Sequence, residues 1–303
     1  MKIEVDIPED NSKILALLSA TFRTPITPAD WEWFTHRSPD GVGRTYMLKD
    51  KEDVVGSFSF QPMRIWMGEQ LHKASTPHHL AIRQDHRNVK NFMALSHHAI
   101  QAEREEGVRL LITAANPASY QPHKTLMGWE DFSRVNCLHK TSLREREHGC
   151  QEIESFGIDF DTFYQGIVGK LEFCLHKTSA WMNWRFCDRP RKPYTIYTYG
   201  EGELLGYVVL KRWAEDEYVK AHVIDIHALN DIALSNLIAA AESYAVGCSE
   251  LDMWAGPGFY PFEDYGFTIQ KAQPVIVWPF DKSLHFPVNW GVSYSYGDGD
   301  GQY

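Results

Sequence analysis

Apolar and polar positions in the first half of the chain predict a sheet and one long helix. Alternating segments predict strands at residues 44–49, 53–60 and 71–82. A helix is expected over 91–106, closed by Gly107, because apolar residues recur near the 3.6-residue period: Phe92, Leu95, Ala99 and Ile100. The apolar run at 110–114 is typical of a strand covered on both faces. This order predicts an α/β fold with a mixed sheet.

The second half repeats the same order of elements. Strands are expected at 194–199, 203–211, 220–228 and 250–254, and a helix over 231–246 with Asn230 or Asp231 as N-cap. Trp33 and Gly56 are separated by nearly the same distance as Trp184 and Gly206. These features favour a duplicated unit, joined within the polar stretch 145–157. The alternative is that an ordinary α/β chain produces this order twice by chance.

Size and charge limit the function classes. A chain of 303 residues is long enough for about two domains of roughly 150 residues each. Its formal net charge of −10 argues against binding of nucleic acid, because phosphate backbones require a basic surface.

Cysteine usage and the start of the chain favour a cytoplasmic protein. The five cysteines form no C-x-x-C pair, which is typical of reduced thiols rather than of a disulfide framework. The first twenty residues lack a basic segment followed by an apolar one, so a secretory signal is not expected. No apolar window is long enough to predict a membrane span. Oligomeric state is left open by these patterns.

The turn between the strand at 71–82 and the helix at 91–106 is the strongest functional feature. It carries Arg87 and Lys90, and its backbone N–H groups are expected to point outward at the start of the helix. The helix dipole favours negative charge at that position. The turn therefore predicts a binding site for a phosphate-bearing cofactor.

This arrangement resembles the acyl-CoA-binding segment of the GNAT N-acyltransferase superfamily. The family's Arg-x-x-Gly-x-Gly/Ala loop corresponds to Arg87, Lys90 and Phe92, so both glycine positions differ. The resemblance extends over both halves as two tandem GNAT-like units, 1–150 and 151–303. It implies a transferase that uses acetyl-CoA or another acyl-CoA as co-substrate. The implied acceptor is a small-molecule amine or an amino sugar.

The resemblance also implies which residues would contact the cofactor. Glycine is usual at position 90 because the backbone approaches the phosphates closely. Lys90 is compatible with this if its φ is negative, and Phe92 if its ring points into the core. The implied cofactor-binding residues are the strand end, the turn and one residue after the next strand: Leu80, Ala81, Ile82, Arg87, Asn88, Val89, Lys90, Asn91, Phe92 and Asn116.

Acyl transfer to an amine needs a group that accepts the ammonium proton and a donor for the leaving thiolate. His78 and His79 are candidates for the acceptor, and strand alternation predicts that only one of them faces the cleft. Asp85 is the other candidate. The family's tyrosine donor corresponds to Lys124 and Phe262, so Tyr120 or Tyr260 is a possible substitute. The predicted catalytic set is His79, Asp85 and Tyr120.

Four further interpretations follow from the same residues. The equivalent turn of the second half, 226–231, lacks arginine and glycine and adds Asp231, so the second unit is predicted to be structural or to contact the substrate. The histidines show no zinc-ligand spacing, so no metal site is predicted. A GNAT-fold protein without catalysis, acting in binding or assembly, is the alternative to an enzyme. An aminoacyl-tRNA-dependent transferase fits the duplication but conflicts with the acidic charge.

Overall fold

The computed structural model describes residues 2–5, 11–22, 26–191, 193–215, 217–256, 260–282 and 284. They belong to two compact units. As far as these residues are described, the first unit contains 1–64, 72–132 and 275–285, and the second contains 65–71, 133–274 and 286–303. Each unit is a mixed sheet covered by helices, which confirms the predicted α/β class. The division of the chain at residue 150 stays a prediction.

The first unit contains most of the elements that precede residue 132. They are β1 (Lys2–Val5), α1 (Ser12–Thr21), α2 (Pro28–His36), β2 (Arg44–Asp50), β3 (Asp53–Met67), β4 (Gln70–Ile82), α3 (Val89–Glu105), β5 (Leu110–Ala114) and α4 (Pro117–Met127). Strands β1 to β5 lie side by side in chain order. Residues Val275–Pro279 complete this sheet by pairing antiparallel with β5.

The first unit has an apolar cluster on each face of its sheet. One cluster joins the sheet to α3 and includes Phe58, Phe60, Leu95 and Ala99. The other joins the sheet to α1 and α2 and includes Ile14, Leu18, Trp31, Met47 and Ala81. Side chains of one strand alternate between the faces, so β3 and β4 contribute to both.

The second unit is formed by the later elements. They are β6 (Glu130–Lys140), β7 (Gln151–Glu152), α5 (Asp159–Val168), β8 (Phe173–Leu175), α6 (Ser179–Met182), β9 (Tyr194–Tyr199), β10 (Gly206–Glu215), β11 (Tyr218–Ala228), α7 (Asp231–Tyr244), β12 (Glu250–Ala255) and the first part, residues 268–274, of β13 (Thr268–Pro279). Its strands are ordered β13-β6-β12-β11-β10-β9-β7. β11 and β12 are parallel, whereas β6 pairs with β12, β10 with β11, β9 with β10 and β7 with β9 in antiparallel fashion.

Most predicted strands and both predicted helices are present, with shifted ends. The long helix α3 begins at Val89 rather than at 91, because the side chain of Asn88 caps it by accepting a hydrogen bond from the Asn91 N–H. Strand β10 begins at Gly206 instead of extending from 203. A Cβ at Gly206 would lie 2.7 Å from Leu237 Cδ1 and 2.9 Å from the His227 carbonyl oxygen, so this close approach requires glycine.

Several helices were not predicted from the sequence. Among them are α1, α2 and α4, which are shorter than α3 and α7. α2 is defined instead by its start, where Thr27 and Asp30 form a capping box around Pro28. In the described residues no helix is both long enough and apolar enough to cross a membrane.

Candidate functional site

Strands β4 and β5 of the first unit separate soon after they meet. Within the described residues these parallel strands pair only at Ala74 with Leu110 and at Ser75 with Leu111. β4 continues to Ile82 and β5 to Ala114 without further pairing. We call this opening the fork, formed by residues 76–82 of β4 and 112–114 of β5. At the fork, the backbone N–H and C=O groups of β4 and β5 that face each other form no hydrogen bonds between the two strands.

His79 interrupts the regular geometry of β4 inside the fork. Its φ is +48°, a left-handed conformation that is uncommon for any residue except glycine. Such strain is retained where the surrounding structure fixes it, and it concentrates at functional sites. The hydroxyl of Ser57 on β3 donates to the His79 carbonyl oxygen over 3.3 Å.

This conformation makes the alternation predicted for His78 and His79 wrong. Both imidazole rings contact Phe34 of α2, with ring centroids 4.7 Å away for His78 and 5.3 Å for His79. The left-handed residue interrupts the alternation, so consecutive side chains reach the same helix. The His79 ring also lies 5.9 Å from Trp31 and 6.0 Å from Phe22. A half-buried imidazole is therefore held among aromatic rings beside the fork.

The turn that follows β4 offers free backbone amides. After a 3-10 turn at Gln84–His86, the Arg87 N–H donates to the Gln84 carbonyl oxygen over 3.3 Å. Among the described residues nothing accepts a hydrogen bond from the N–H groups of Asn88, Val89 and Lys90, and all three residues are exposed. These amides lie at the positive end of the α3 dipole. The backbone can therefore bind an anion here.

Other predicted cofactor residues shape this turn. Asn91 is buried, and its Nδ2 donates to the His86 carbonyl oxygen over 2.7 Å. The ring of Phe92 and the side chain of Leu80 pack against the apolar cluster beneath α3. Ala81 and Ile82 are also buried in the core, so only their backbone groups are available to a ligand. Phe92 thus meets the condition for replacing a small residue in this loop.

Arg87 lies at the end of the fork. Its guanidinium donates from Nε and Nη2 to the Ile82 carbonyl oxygen over 3.3 and 3.1 Å. The Lys90 side chain is exposed on the first turn of α3. Two cationic side chains therefore accompany the free amides.

Asp85 is held in a cluster of charged groups at the outer side of the turn. Its carboxylate contacts Arg83 Nε at 2.7 Å and His86 Nδ1 at 2.8 Å. The hydrogen bond from Arg83, and then the one from His86, hold the pKa of Asp85 well below its usual range. His86 also contacts Asp50 at 3.3 Å, and hydrogen bonds to Asp85 and Asp50 raise the pKa of His86. Asp85 is consequently a weak proton acceptor.

Tyr120 and Asn116 lie on the other side of the fork, at the start of α4. Asn116 caps α4 by accepting a hydrogen bond from the Ser119 N–H over 2.9 Å. The Tyr120 hydroxyl donates to Asp131 over 2.8 Å, and Lys124 forms an ion pair with the same carboxylate. The hydrogen bond to Asp131 raises the pKa of Lys124. The Tyr120 hydroxyl is thus a hydrogen-bond donor to the Asp131 carboxylate, which also binds Lys124.

A buried network that sequence reasoning missed fixes α3 at the fork. Glu103 is fully buried and accepts hydrogen bonds from Nε and Nη2 of Arg44, each over 2.6 Å. Ser75 Oγ donates to the same carboxylate over 2.6 Å, and the Tyr46 hydroxyl over 3.1 Å. The sequence contained one sign of this network, because Glu103 lies three residues after Ile100 and therefore on the apolar face of α3. Ser75 is the last residue of β4 that pairs with β5.

The equivalent strand end of the second unit is closed by a side chain. The Tyr260 hydroxyl accepts a hydrogen bond from the Ala228 N–H over 2.7 Å and donates to the Ala228 carbonyl oxygen over 3.0 Å. Helix α7 follows with Asn230, one of the two residues predicted as N-cap, in that position and with Asp231 in its first turn. A carboxylate at that position opposes anion binding. Tyr260 is one of the two tyrosines expected from the sequence as a proton donor to the thiolate, but its hydroxyl is bound to the backbone of β11.

Within the part of the chain that is described, no group of three or more His, Cys, Asp or Glu side chains is arranged to hold a metal ion.

Comparison with known proteins gives one family match. Residues 7–130 match the family model described as an acetyltransferase (GNAT) domain. The matched segment contains the fork, the turn and α4. A search of curated protein sequences finds no match.

Three solved structures share the fold over nearly the whole chain. One is a protein of unknown function from Enterococcus faecalis V583, titled a probable N-acyltransferase, with a TM-score of 0.71 and 13% identity over 92% of this chain and 72% of that chain. A GCN5-related N-acetyltransferase from Anabaena variabilis ATCC 29413 has a TM-score of 0.71 and 13% identity, over 91% and 72%. One from Kribbella flavida has a TM-score of 0.66 and 15% identity, over 92% and 71%. At these identities the likeness concerns the fold alone.

Proposed function

Because residues 7–130 match the family model described as an acetyltransferase (GNAT) domain, we propose that this protein is an acyl-CoA-dependent N-acyltransferase. The first unit binds acetyl-CoA or another acyl-CoA, and the acceptor is a small amine or an amino sugar. One observation carries the proposal: the free amides of Asn88, Val89 and Lys90 follow, after one 3-10 turn, the end of β4 that does not pair with β5. A diphosphate and an extended amide-bearing chain require these two features side by side.

The turn supplies the diphosphate site in this proposal. Backbone N–H groups of residues 88–90 donate to phosphate oxygens, and the α3 dipole adds a favourable potential. Arg87 and Lys90 contribute cationic side chains, which form strong charge-assisted hydrogen bonds with phosphate. Lys90 has no positive φ, so its replacement of glycine introduces no backbone strain.

The fork binds the pantetheine arm. The arm carries amide groups, and strand-edge groups of Leu80 and the Ile82 N–H pair with them as a neighbouring strand would, while the Ile82 carbonyl oxygen is bound by Arg87. Asn116 Oδ1 is bound to the Ser119 N–H, so its Nδ2 is the group directed to the ligand. The thioester then lies near His79, at the strained position of β4.

His79 accepts the proton in the transfer step. The amine nitrogen attacks the thioester carbonyl carbon, the C–S bond breaks, and the thiolate leaves with the bonding electron pair. The ammonium proton passes to the imidazole of His79, since histidine readily gains and loses a proton near neutral pH. Tyr120 protonates the thiolate, exchanging its hydrogen bond to Asp131 for one to sulfur. His79 then releases its extra proton to water, and Tyr120 regains a proton from water. Asp85 is left out of proton transfer because its ion pairs favour the charged carboxylate.

Calorimetry with acetyl-CoA and thiol release with a panel of amines test the proposal. Lys90→Glu should weaken acetyl-CoA binding at least about tenfold, because it places a negative charge beside the phosphates. Arg104→Glu, the same charge change at the other end of α3, is the matched control and should leave the affinity unchanged. Absence of acetyl-CoA binding at millimolar concentration would overturn the proposal.

A second candidate is a GNAT-fold protein that binds without catalysing transfer. The observations in its favour are the altered glycine positions at Lys90 and Phe92 and the bound state of the Tyr120 hydroxyl. It predicts acyl-CoA binding without thiol release for every amine tested.

The second unit is assigned a structural role in both cases, because Tyr260 closes its strand end. A cytoplasmic location is supported by the five free cysteines.

A further inference from the structure

Three buried polar side chains between α2 and the sheet of the first unit are incompletely bonded. Trp31 Nε1, both amide atoms of Gln61 and Thr76 Oγ1 have no hydrogen-bond partner among the described residues. The exposed fractions of these residues are 1%, 5% and 4%. An unpaired buried polar group costs about 1–3 kcal/mol, and folded proteins keep few of them. All three residues belong to α2 or to the sheet face that α2 covers, which points to a ligand-binding role.

Gln61 and Thr76 point to the same face of the sheet. Ser75 binds Glu103 of α3, so alternation along β4 directs the neighbouring Thr76 to the α2 face. Phe60 belongs to the apolar cluster beneath α3, so Gln61 is likewise directed to the α2 face. Trp31 lies on α2 itself.

Contacts with α2 place Gln61 near the histidines. A Cβ at Gly43 would lie 3.2 Å from Thr35 Cα and 3.3 Å from Gln61 Oε1, so the Gln61 amide lies under α2 near Thr35. The preceding residue, Phe34, contacts both His78 and His79. Phe34 and His79 are half-buried, so the region can be reached from the side of His79.

We propose that Trp31, Gln61 and Thr76 bind hydroxyl groups of the acceptor, so that the substrate is a hydroxyl-bearing amine whose nitrogen lies at His79. This inference rests on the proposed function, and it names the acceptor class of the same site.

The chemistry of the three side chains selects hydroxyl groups. A ligand hydroxyl can both donate and accept a hydrogen bond. It therefore suits the Gln61 amide and the Thr76 hydroxyl, which each offer a donor and an acceptor, and the Trp31 indole N–H, which offers a donor only. An amine with only hydrocarbon substituents would leave these buried groups unpaired, and sites of this kind discriminate strongly against such analogues. A second charged group on the acceptor would be buried against neutral partners, which is unfavourable.

Binding of glucosamine and cyclohexylamine to the whole chain, without acyl-CoA, tests the inference. Both are six-membered rings with a primary amine, and they differ in hydroxyl groups. Ligand-observed NMR titrations measure the two dissociation constants. We expect glucosamine to bind at least about tenfold more tightly. Gln61→Met and Thr76→Val, which remove the polar atoms but keep side chains of similar length, should reduce that ratio towards one.

Ser96→Ala provides the matched control. Ser96 is fully buried on α3 with an unpartnered hydroxyl, but it lies on the other face of the sheet. Its substitution should leave the ratio unchanged. The inference is overturned if neither amine binds, if cyclohexylamine binds as tightly as glucosamine, or if Gln61→Met and Thr76→Val preserve the ratio. The acetyl-CoA titration tests the proposed function separately. Failure of the acceptor inference is therefore distinguishable from failure of the proposed function.

Discussion

Ser75 Oγ donates a 2.6 Å hydrogen bond to Glu103, and this bond joins β4 to α3 at the point where β4 separates from β5. Arg44 of β2 holds the same carboxylate through two hydrogen bonds. One buried glutamate thus connects α3, whose N-terminus bears the free amides, to two strands. The relative position of the turn and the fork depends on this network.

Glu103→Gln should destabilise the protein by about 3 kcal/mol, because Arg44 and its partners would lose a buried carboxylate. Urea denaturation measures the change in the free energy of unfolding. Glu105→Gln removes an exposed carboxylate from the same helix and should change stability by less than about 0.5 kcal/mol. Equal effects of the two substitutions would contradict the assigned role.

Asp40 should make stability depend on pH in the acidic range. It lies in the loop after α2, and burial raises its pKa to about 6, although Arg64 at 3.6 Å opposes this shift. Because the folded-state pKa exceeds the usual value of about 3.9, folding favours the protonated form. The free energy of unfolding therefore falls as the pH rises from about 4 to 6.

Asp40→Asn should remove this pH dependence. At pH 7.5 the variant should be more stable than the natural protein by on the order of 2 kcal/mol, and at pH 4 the two should be nearly equal. Thermal unfolding at both pH values provides the measurement. Asp53→Asn, at an exposed carboxylate, is the control. A variant that is less stable at pH 7.5 would show that Arg64 outweighs burial.

Tyr260→Phe should lower stability without affecting acetyl-CoA affinity. The substitution deletes the hydroxyl that pairs with both backbone groups of Ala228, and loss of such bonds costs about 1–3 kcal/mol. Chemical denaturation measures the first effect and calorimetry the second. A change in acetyl-CoA affinity would argue that the second unit contributes to the cofactor site.

The predictions that succeeded depend on residues close together in the sequence, such as the helical period and the capping residues. The resemblance to GNAT proteins is confirmed, and the turn after β4 and the helices α3 and α7 follow from periodicity and capping residues such as Asn230. The capping box at Thr27 and Asp30 was also readable and was overlooked.

Other features depend on contacts between distant residues. The pairing of Val275–Pro279 with β5 joins segments far apart in the chain, and nothing local specifies it. The left-handed φ of His79 occurs in a sequence that otherwise favours a regular strand, so alternation misplaced one imidazole. The roles of Gln61 and Thr76 depend on α2, whose position only tertiary structure reveals.

His79→Asn should reduce kcat with little change in the affinity for acetyl-CoA. Asparagine tolerates a left-handed φ better than most residues, so the strand geometry is preserved while the imidazole is lost. Loss of a positioned proton acceptor typically lowers the rate about 10²- to 10⁴-fold. Steady-state thiol release and calorimetry provide the two measurements. His78→Asn removes the neighbouring ring that contacts the same Phe34, and it should retain most of the activity. If both variants lose activity equally, the effect arises from packing against α2 rather than from proton transfer at residue 79.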